Sequence, residues 1–137
     1  RWGWKKGLGC AFVFGLLQLL LDGGFAIGWQ SMLGDYLIAF GVLGLAGIFT
    51  GKPYSIFAGT VVGSVARFLV HWVVGATIWA EYMPDEFFGM TMTNPWFYSA
   101  LYNGSYMLPD MIVSLVVFAV LYVPLKKYLL GEDLKQA

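Results

Sequence analysis

The chain has 137 residues, of which 59% are hydrophobic and 12% charged, and its formal net charge is zero. A soluble domain carries about 25% charged residues and a nucleic-acid binder shows a basic patch or stripe, so both classes are excluded. The single cysteine, Cys10, lies in an apolar run and reads as a small buried residue, which leaves no internal disulfide and no metal cluster. What remains is an all-α membrane protein, a bundle of transmembrane helices whose main solvent is lipid.

The chain opens with RWGWKKG, beginning at Arg1 rather than at Met. This resembles neither a signal peptide nor a natural start, and the expectation is a fragment whose N-terminal part is missing. A spanning helix needs about 20 mostly apolar residues. Four segments approach that length: about 7–21, 32–49, 55–80 and 96–124. The first is short and ends at Asp22-Gly23-Gly24. The second and third are separated by Gly51-Lys52-Pro53, and the third and fourth by the acidic stretch 81–95.

Charge sets an expected topology. Arg1, Lys5 and Lys6 precede the first span, Lys52 follows the second, and Lys126 and Lys127 follow the fourth. The other two loops, 22–31 and 81–95, contain no Lys or Arg and hold Asp22, Glu81, Asp85 and Glu86. The positive-inside rule then places both ends of the chain in the cytoplasm and the acidic loops outside. Small residues recur along the spans: Ala11 with Gly15, Gly59 with Gly63, and Gly41, Gly44 and Gly47 at every third position. Such stripes let backbones approach closely in lipid, within one bundle or between two copies.

Charged residues inside a span are costly and usually face a cavity or a partner. Asp35, Arg67, His71 and Asp110 are of this kind. At about 1.5 Å per residue, Asp35 lies roughly 5 Å below the outer end of its span. Arg67 and His71 lie roughly 18 and 24 Å from the inner surface, and Asn103 about 10 Å down. Three spans thus place polar groups in one outer layer, in which Asp35 is the carboxylate. Arg67, His71, Gly75 and Trp79 step by four and share a helix face. Tyr98, Tyr102 and Tyr106 do the same on the fourth span, with Asn103 alongside. An indole, an imidazole and several phenols near a carboxylate make a cage for a flat organic cation. Trp29, Trp72 and Trp96 fit an interfacial aromatic belt instead. Asp110, one residue after Pro109, reads as needing a structural partner, and Gln18 as lining a cavity or bonding across helices.

These residues resemble those of the thiamine-specific S-components of energy-coupling-factor transporters, vitamin-importing relatives of ABC transporters. The matching stretches are RWGWKKGLG, LGDYLIAFGVLGLAGIF, SVARFLVHWVVGATIWAEYMP and WFYSALYNGSYMLP. The resemblance implies six helices with both ends inside, of which this chain would hold the last four. It implies thiamine contacts at Asp35, Tyr36, Arg67, His71, Trp79, Tyr98 and Asn103. Phe14 stands where some relatives carry tryptophan in the first span. It also implies a plasma-membrane location, a membrane coupling protein and two ATPase subunits as partners, no resident cofactor and no catalysis by the chain itself.

The chemistry agrees. Thiamine is a cationic thiazolium joined to an aminopyrimidine. Asp35 can offset its charge or accept from its amino group, and Asn103 offers a donor and an acceptor. Arg67 either pairs with Asp35 or touches the substrate. Two other readings remain. One is a small intramembrane enzyme with His71 and Asp35 as acid and base. The other is an ion- or proton-conducting bundle, whose polar path should cross the whole membrane.

Overall fold

The computed structural model describes residues 2–135, so Arg1, counted above among the inner charges, lies outside the described residues. Four helices are long and apolar enough to cross a membrane by length and composition: α1 (Trp4–Leu21), α2 (Trp29–Phe49), α3 (Ser55–Thr77) and α4 (Pro95–Leu129). The architecture is an all-α transmembrane bundle. A short hairpin, β1 (Glu86–Phe87) paired antiparallel with β2 (Met90–Thr91), punctuates the loop before α4. Its two turn residues, Phe88 and Gly89, both have positive φ (53° and 72°), as a tight hairpin turn of this length favours.

The helices pack as antiparallel neighbours in chain order, and glycine makes the contacts close. The second half of α2, Val42–Phe49, is a 3-10 helix, in which residues three apart stack above one another. Gly44 and Gly47 therefore share a face, and that face meets the backbone of α1. A Cβ on Gly47 would stand 2.7 Å from the Trp4 nitrogen, and one on Gly7 would stand 2.9 Å from the Gly44 carbonyl oxygen. Gly41, third of the expected stripe, has open space around it. On the α3 side, a Cβ at Gly59 would lie 2.7 Å from the Ala46 carbonyl oxygen. These small residues thus serve packing within the bundle.

α4 is fastened along α3 at both ends. Near one end the Tyr54 and Tyr122 rings stack at 5.3 Å and 16°. Near the other, Trp72 meets Trp96 edge-on at 5.5 Å. Asn94 caps α4 by accepting from the Trp96 N–H at 2.8 Å, with Pro95 in the first turn. The helix does not stop at Pro124, as the sequence suggested, but continues to Leu129 with Pro109 and Pro124 inside it. Lys126 and Lys127 occupy its last turn, where they complement the helix dipole.

Alternating direction gathers Lys5, Lys6, Lys52, Lys126 and Lys127 at one end of the bundle. Asp22, Glu81, Asp85 and Glu86 collect at the other. The outer faces are apolar. Leu20, Leu21, Val120 and Val123 are each more than 70% exposed, which is unfavourable in water and ordinary in lipid. Cys10 is also exposed, correcting its reading as a buried residue. The reason is that α1 packs along a narrow strip in which Gly15 alone is buried.

Candidate ligand-binding site

The end of the bundle that carries the acidic loops encloses an open cavity of about 410 Å³. Seven of the eight residues singled out from sequence line it: Asp35, Tyr36, Arg67, His71, Trp79, Tyr98 and Asn103. They come from α2, from α3 and the turn that follows it, and from α4.

Asp35 and Tyr36 sit where α2 widens into a π-helical turn spanning Met32–Ile38. Such turns are rare and recur at functional sites. Both oxygens of Asp35 are engaged. Oδ2 accepts from the Trp79 indole N–H at 2.7 Å, and Oδ1 faces His71 Nδ1 at 3.0 Å. The donor and acceptor roles of the two His71 nitrogens depend on its tautomer. Arg67 Nε lies 3.4 Å from His71 Nε2 and can only donate. In the neutral tautomer that accepts from Arg67 at Nε2, Nδ1–H donates to Asp35. Asp35 keeps its remaining lone pairs for the cavity.

Arg67 does not pair with Asp35. Its guanidinium lies over the Phe40 ring at 4.3 Å from the centroid and turns the other way, with Nη1 4.0 Å from Asp110 Oδ2. Asp110 thus finds the structural partner that its position called for. Phe40 itself is 7% exposed and forms the floor between His71 and α1.

Trp79 lies beyond the regular end of α3 at Thr77, because its N–H reaches back five residues to the Val74 carbonyl at 3.2 Å. This widened turn aims the indole at Asp35. The indole face stacks on Phe25 at 5.8 Å and 22°, and Tyr82 meets it edge-on at 5.6 Å. Phe25 is tethered in turn, since Tyr36 donates its hydroxyl proton to the Phe25 carbonyl at 3.0 Å.

On α4, Asn103 is buried, and its amide group is largely spent on protein. Nδ2 donates to the Ser99 carbonyl at 2.9 Å and approaches the His71 carbonyl at 3.4 Å. Oδ1 accepts from the Tyr106 hydroxyl at 2.8 Å and retains one lone pair. Ser99 Oγ donates to the Trp72 carbonyl at 2.8 Å. Gly75 permits this closeness, since a Cβ there would lie 3.2 Å from the Ser99 Cβ. Gly75 therefore admits a neighbouring helix as well as leaving room in the cavity. Phe87 of the hairpin leans on Tyr98 at 5.4 Å and Tyr102 at 6.0 Å, which extends the aromatic wall.

Phe14 is the residue not brought to this cavity. Its ring meets Phe40 edge-on at 5.4 Å, behind the floor. It lines a second cavity of about 480 Å³ with Gln18, Ser64, Arg67, Asp110 and Ser114. Trp72 also points away, donating to the Trp96 carbonyl at 2.9 Å. Sequence reasoning missed Asp22, Phe25, Phe40, Tyr82 and Ser99, all of which line the first cavity. Asp22 was read as a loop residue at the outer end and Asp35 as the carboxylate of the layer; the cavity has both. Ser99 lies four before Asn103 and Tyr82 three after Trp79, so helical spacing could have found them. Among the described residues, no cluster of His, Cys, Asp and Glu is able to hold a metal.

Four membrane-length helices, three of which supply the walls of an aromatic cavity with an oriented carboxylate, define a multi-pass membrane protein. Residues 1–130 match the family described as Thiamine transporter protein (Thia_YuaJ), and the chain belongs to that family. It is 28% identical over 145 residues to the thiamine transporter ThiT of Bacillus subtilis (strain 168), covering 96% of this chain and 72% of that protein. It is 30% identical over 141 residues to the thiamine transporter ThiT of Lacticaseibacillus paracasei (strain ATCC 334), covering 89% of this chain and 66% of that protein. The family is described as one of thiamine transporters.

Proposed function

We propose that this chain binds thiamine in the first cavity and is the substrate-binding part of a vitamin importer. The observation that carries the reading is the Asp35 carboxylate. It is held by Trp79 and His71 at the edge of a chamber walled by Phe25, Tyr82, Tyr98 and Tyr102. A fixed negative charge among aromatic faces attracts a flat cation by Coulomb, cation–π and stacking terms together. A volume of about 410 Å³ suits a two-ring ligand. Family membership and the thiamine transporters named above support the same substrate.

The cavity opens on the acidic-loop end. With the lysine-bearing end in the cytoplasm, by the positive-inside rule, the site faces outward, as uptake across the plasma membrane needs. Energy is supplied by two ATPase subunits through a membrane coupling protein, as in energy-coupling-factor transporters; this part rests on the resemblance of the sequence motifs.

Asp35→Asn tests the reading, because it keeps size and removes charge. A hydrogen bond to a charged group contributes about 1.5–3 kcal/mol, which corresponds to roughly ten- to a hundredfold in affinity. Equilibrium titration of the purified protein with thiamine should show a loss of that size or larger. Wild-type affinity in Asp35→Asn would remove Asp35 from the site.

A further inference from the structure

Arg67 stands between two carboxylates and belongs to the walls of both cavities. Asp35 is one imidazole ring away, since Arg67 Nε lies 3.4 Å from His71 Nε2 and His71 Nδ1 lies 3.0 Å from Asp35 Oδ1. Asp110 is 4.0 Å from Nη1 on the other side. A guanidinium carries five donors on a long flexible stem, so nothing covalent keeps it from turning to Asp35. If it did, the site would hold its own cation and its charge would be cancelled. Asp110 opposes that turn. It lies inside a membrane-length helix, where an unpaired carboxylate facing lipid is costly. Its side chain is 67% exposed, and it lines the open second cavity beside Gln18, Ser64 and Ser114, with Arg67 as the cation within reach. The Phe40 ring under the guanidinium fixes the plane in which Arg67 points to Asp110.

We propose that Asp110 is a positioning residue that holds Arg67 back from Asp35, and so keeps the carboxylate of the ligand site free for a cation. The proposal deepens the thiamine-binding reading and rests on it. Asp110 never touches the ligand. It sets how often the empty site is competent, and apparent affinity scales with that competent fraction. It also sets charge selectivity, because only a cationic ligand gains from a free Asp35.

A double-mutant cycle tests this. In Asp110→Asn, a freed Arg67 that occupies Asp35 in about nine of ten molecules would weaken thiamine binding roughly tenfold. Asp110→Glu should bind within about threefold of wild type. In an Arg67→Met background, adding Asp110→Asn should change affinity by less than about twofold, since the competing cation is gone. An equal loss in both backgrounds, or no loss in either, overturns the proposal.

A ligand-free measurement separates its failure from failure of the thiamine reading. The Trp79 indole N–H resonance, assigned by its loss in Trp79→Phe, reports the bond to Asp35. It should shift in Asp110→Asn and return towards the wild-type position in Asp110→Glu. An unmoved resonance in Asp110→Asn refutes the hold-back whatever the wild-type protein binds. A wild-type protein that fails to bind thiamine, with the resonance shifting as expected, refutes only the choice of ligand.

Discussion

Trp79 has two separable tasks, and substitution can remove them in turn. Its N–H fixes the Asp35 carboxylate at 2.7 Å, and its ring stacks with Phe25 over the cavity. Trp79→Phe keeps a ring and removes the N–H. The carboxylate then regains rotamer freedom that ligand binding must take away, a cost of about 0.5–1.5 kcal/mol. Affinity for thiamine should fall roughly two- to tenfold. Trp79→Leu also removes the ring, whose stacking and cation–π terms contribute about 1–2 kcal/mol when desolvated. The combined loss should be at least about tenfold. Trp72 is the control, because its indole donates to the Trp96 carbonyl and stacks on Phe68, away from the cavity. Trp72→Leu should bind within about threefold of wild type, which is under 1 kcal/mol. The assay is titration of purified protein by calorimetry and by quenching of tryptophan fluorescence. Much of the quenching should vanish in Trp79→Leu and persist in Trp72→Leu. A larger loss in Trp72→Leu than in Trp79→Leu would put the site on the wrong face of α3 and refute the reasoning.

Two further expectations concern packing and orientation. Gly75→Ala would press a methyl group against Ser99, 3.2 Å from its Cβ, so α4 must shift. We expect a stability loss of about 1–3 kcal/mol, seen as a lower thermal midpoint in detergent, together with weaker thiamine binding; an unchanged midpoint would mean that α4 yields freely. In a Cys10→Ala background, Gln30→Cys and Thr93→Cys should react with an impermeant thiol reagent on intact cells, whereas Pro53→Cys should not. Labelling at Pro53→Cys alone would invert the topology.

The sequence was most informative where the helix is regular. Arg67 and His71 are four apart on an uninterrupted stretch of α3, so one face could be read directly and the two side chains do meet. The same arithmetic reached Trp79 for a partly different reason. α3 ends at Thr77, and a widened turn, not strict helical register, carries the indole to Asp35. Periodicity failed in α2, where a π turn and a 3-10 segment replace the expected uniform helix. Phe40, four residues after Tyr36 on α2, was nevertheless within reach of a count of four. Phe25 and Asp22 were hidden for another reason. Their place depends on a loop pinned by a bond from Tyr36 to a backbone carbonyl eleven residues away, and backbone acceptors leave no trace in composition.

Arg67 shows the deepest limit. Local charge logic offered it Asp35 or the ligand, since these were the partners its own layer supplied. The structure gives it Asp110, from a helix whose relative depth and rotation are set by Gly75 and Ser99. Which carboxylate an arginine chooses is a tertiary fact decided by small residues that carry no charge. In this site that choice determines whether Asp35 meets a ligand cation or one of the protein's own.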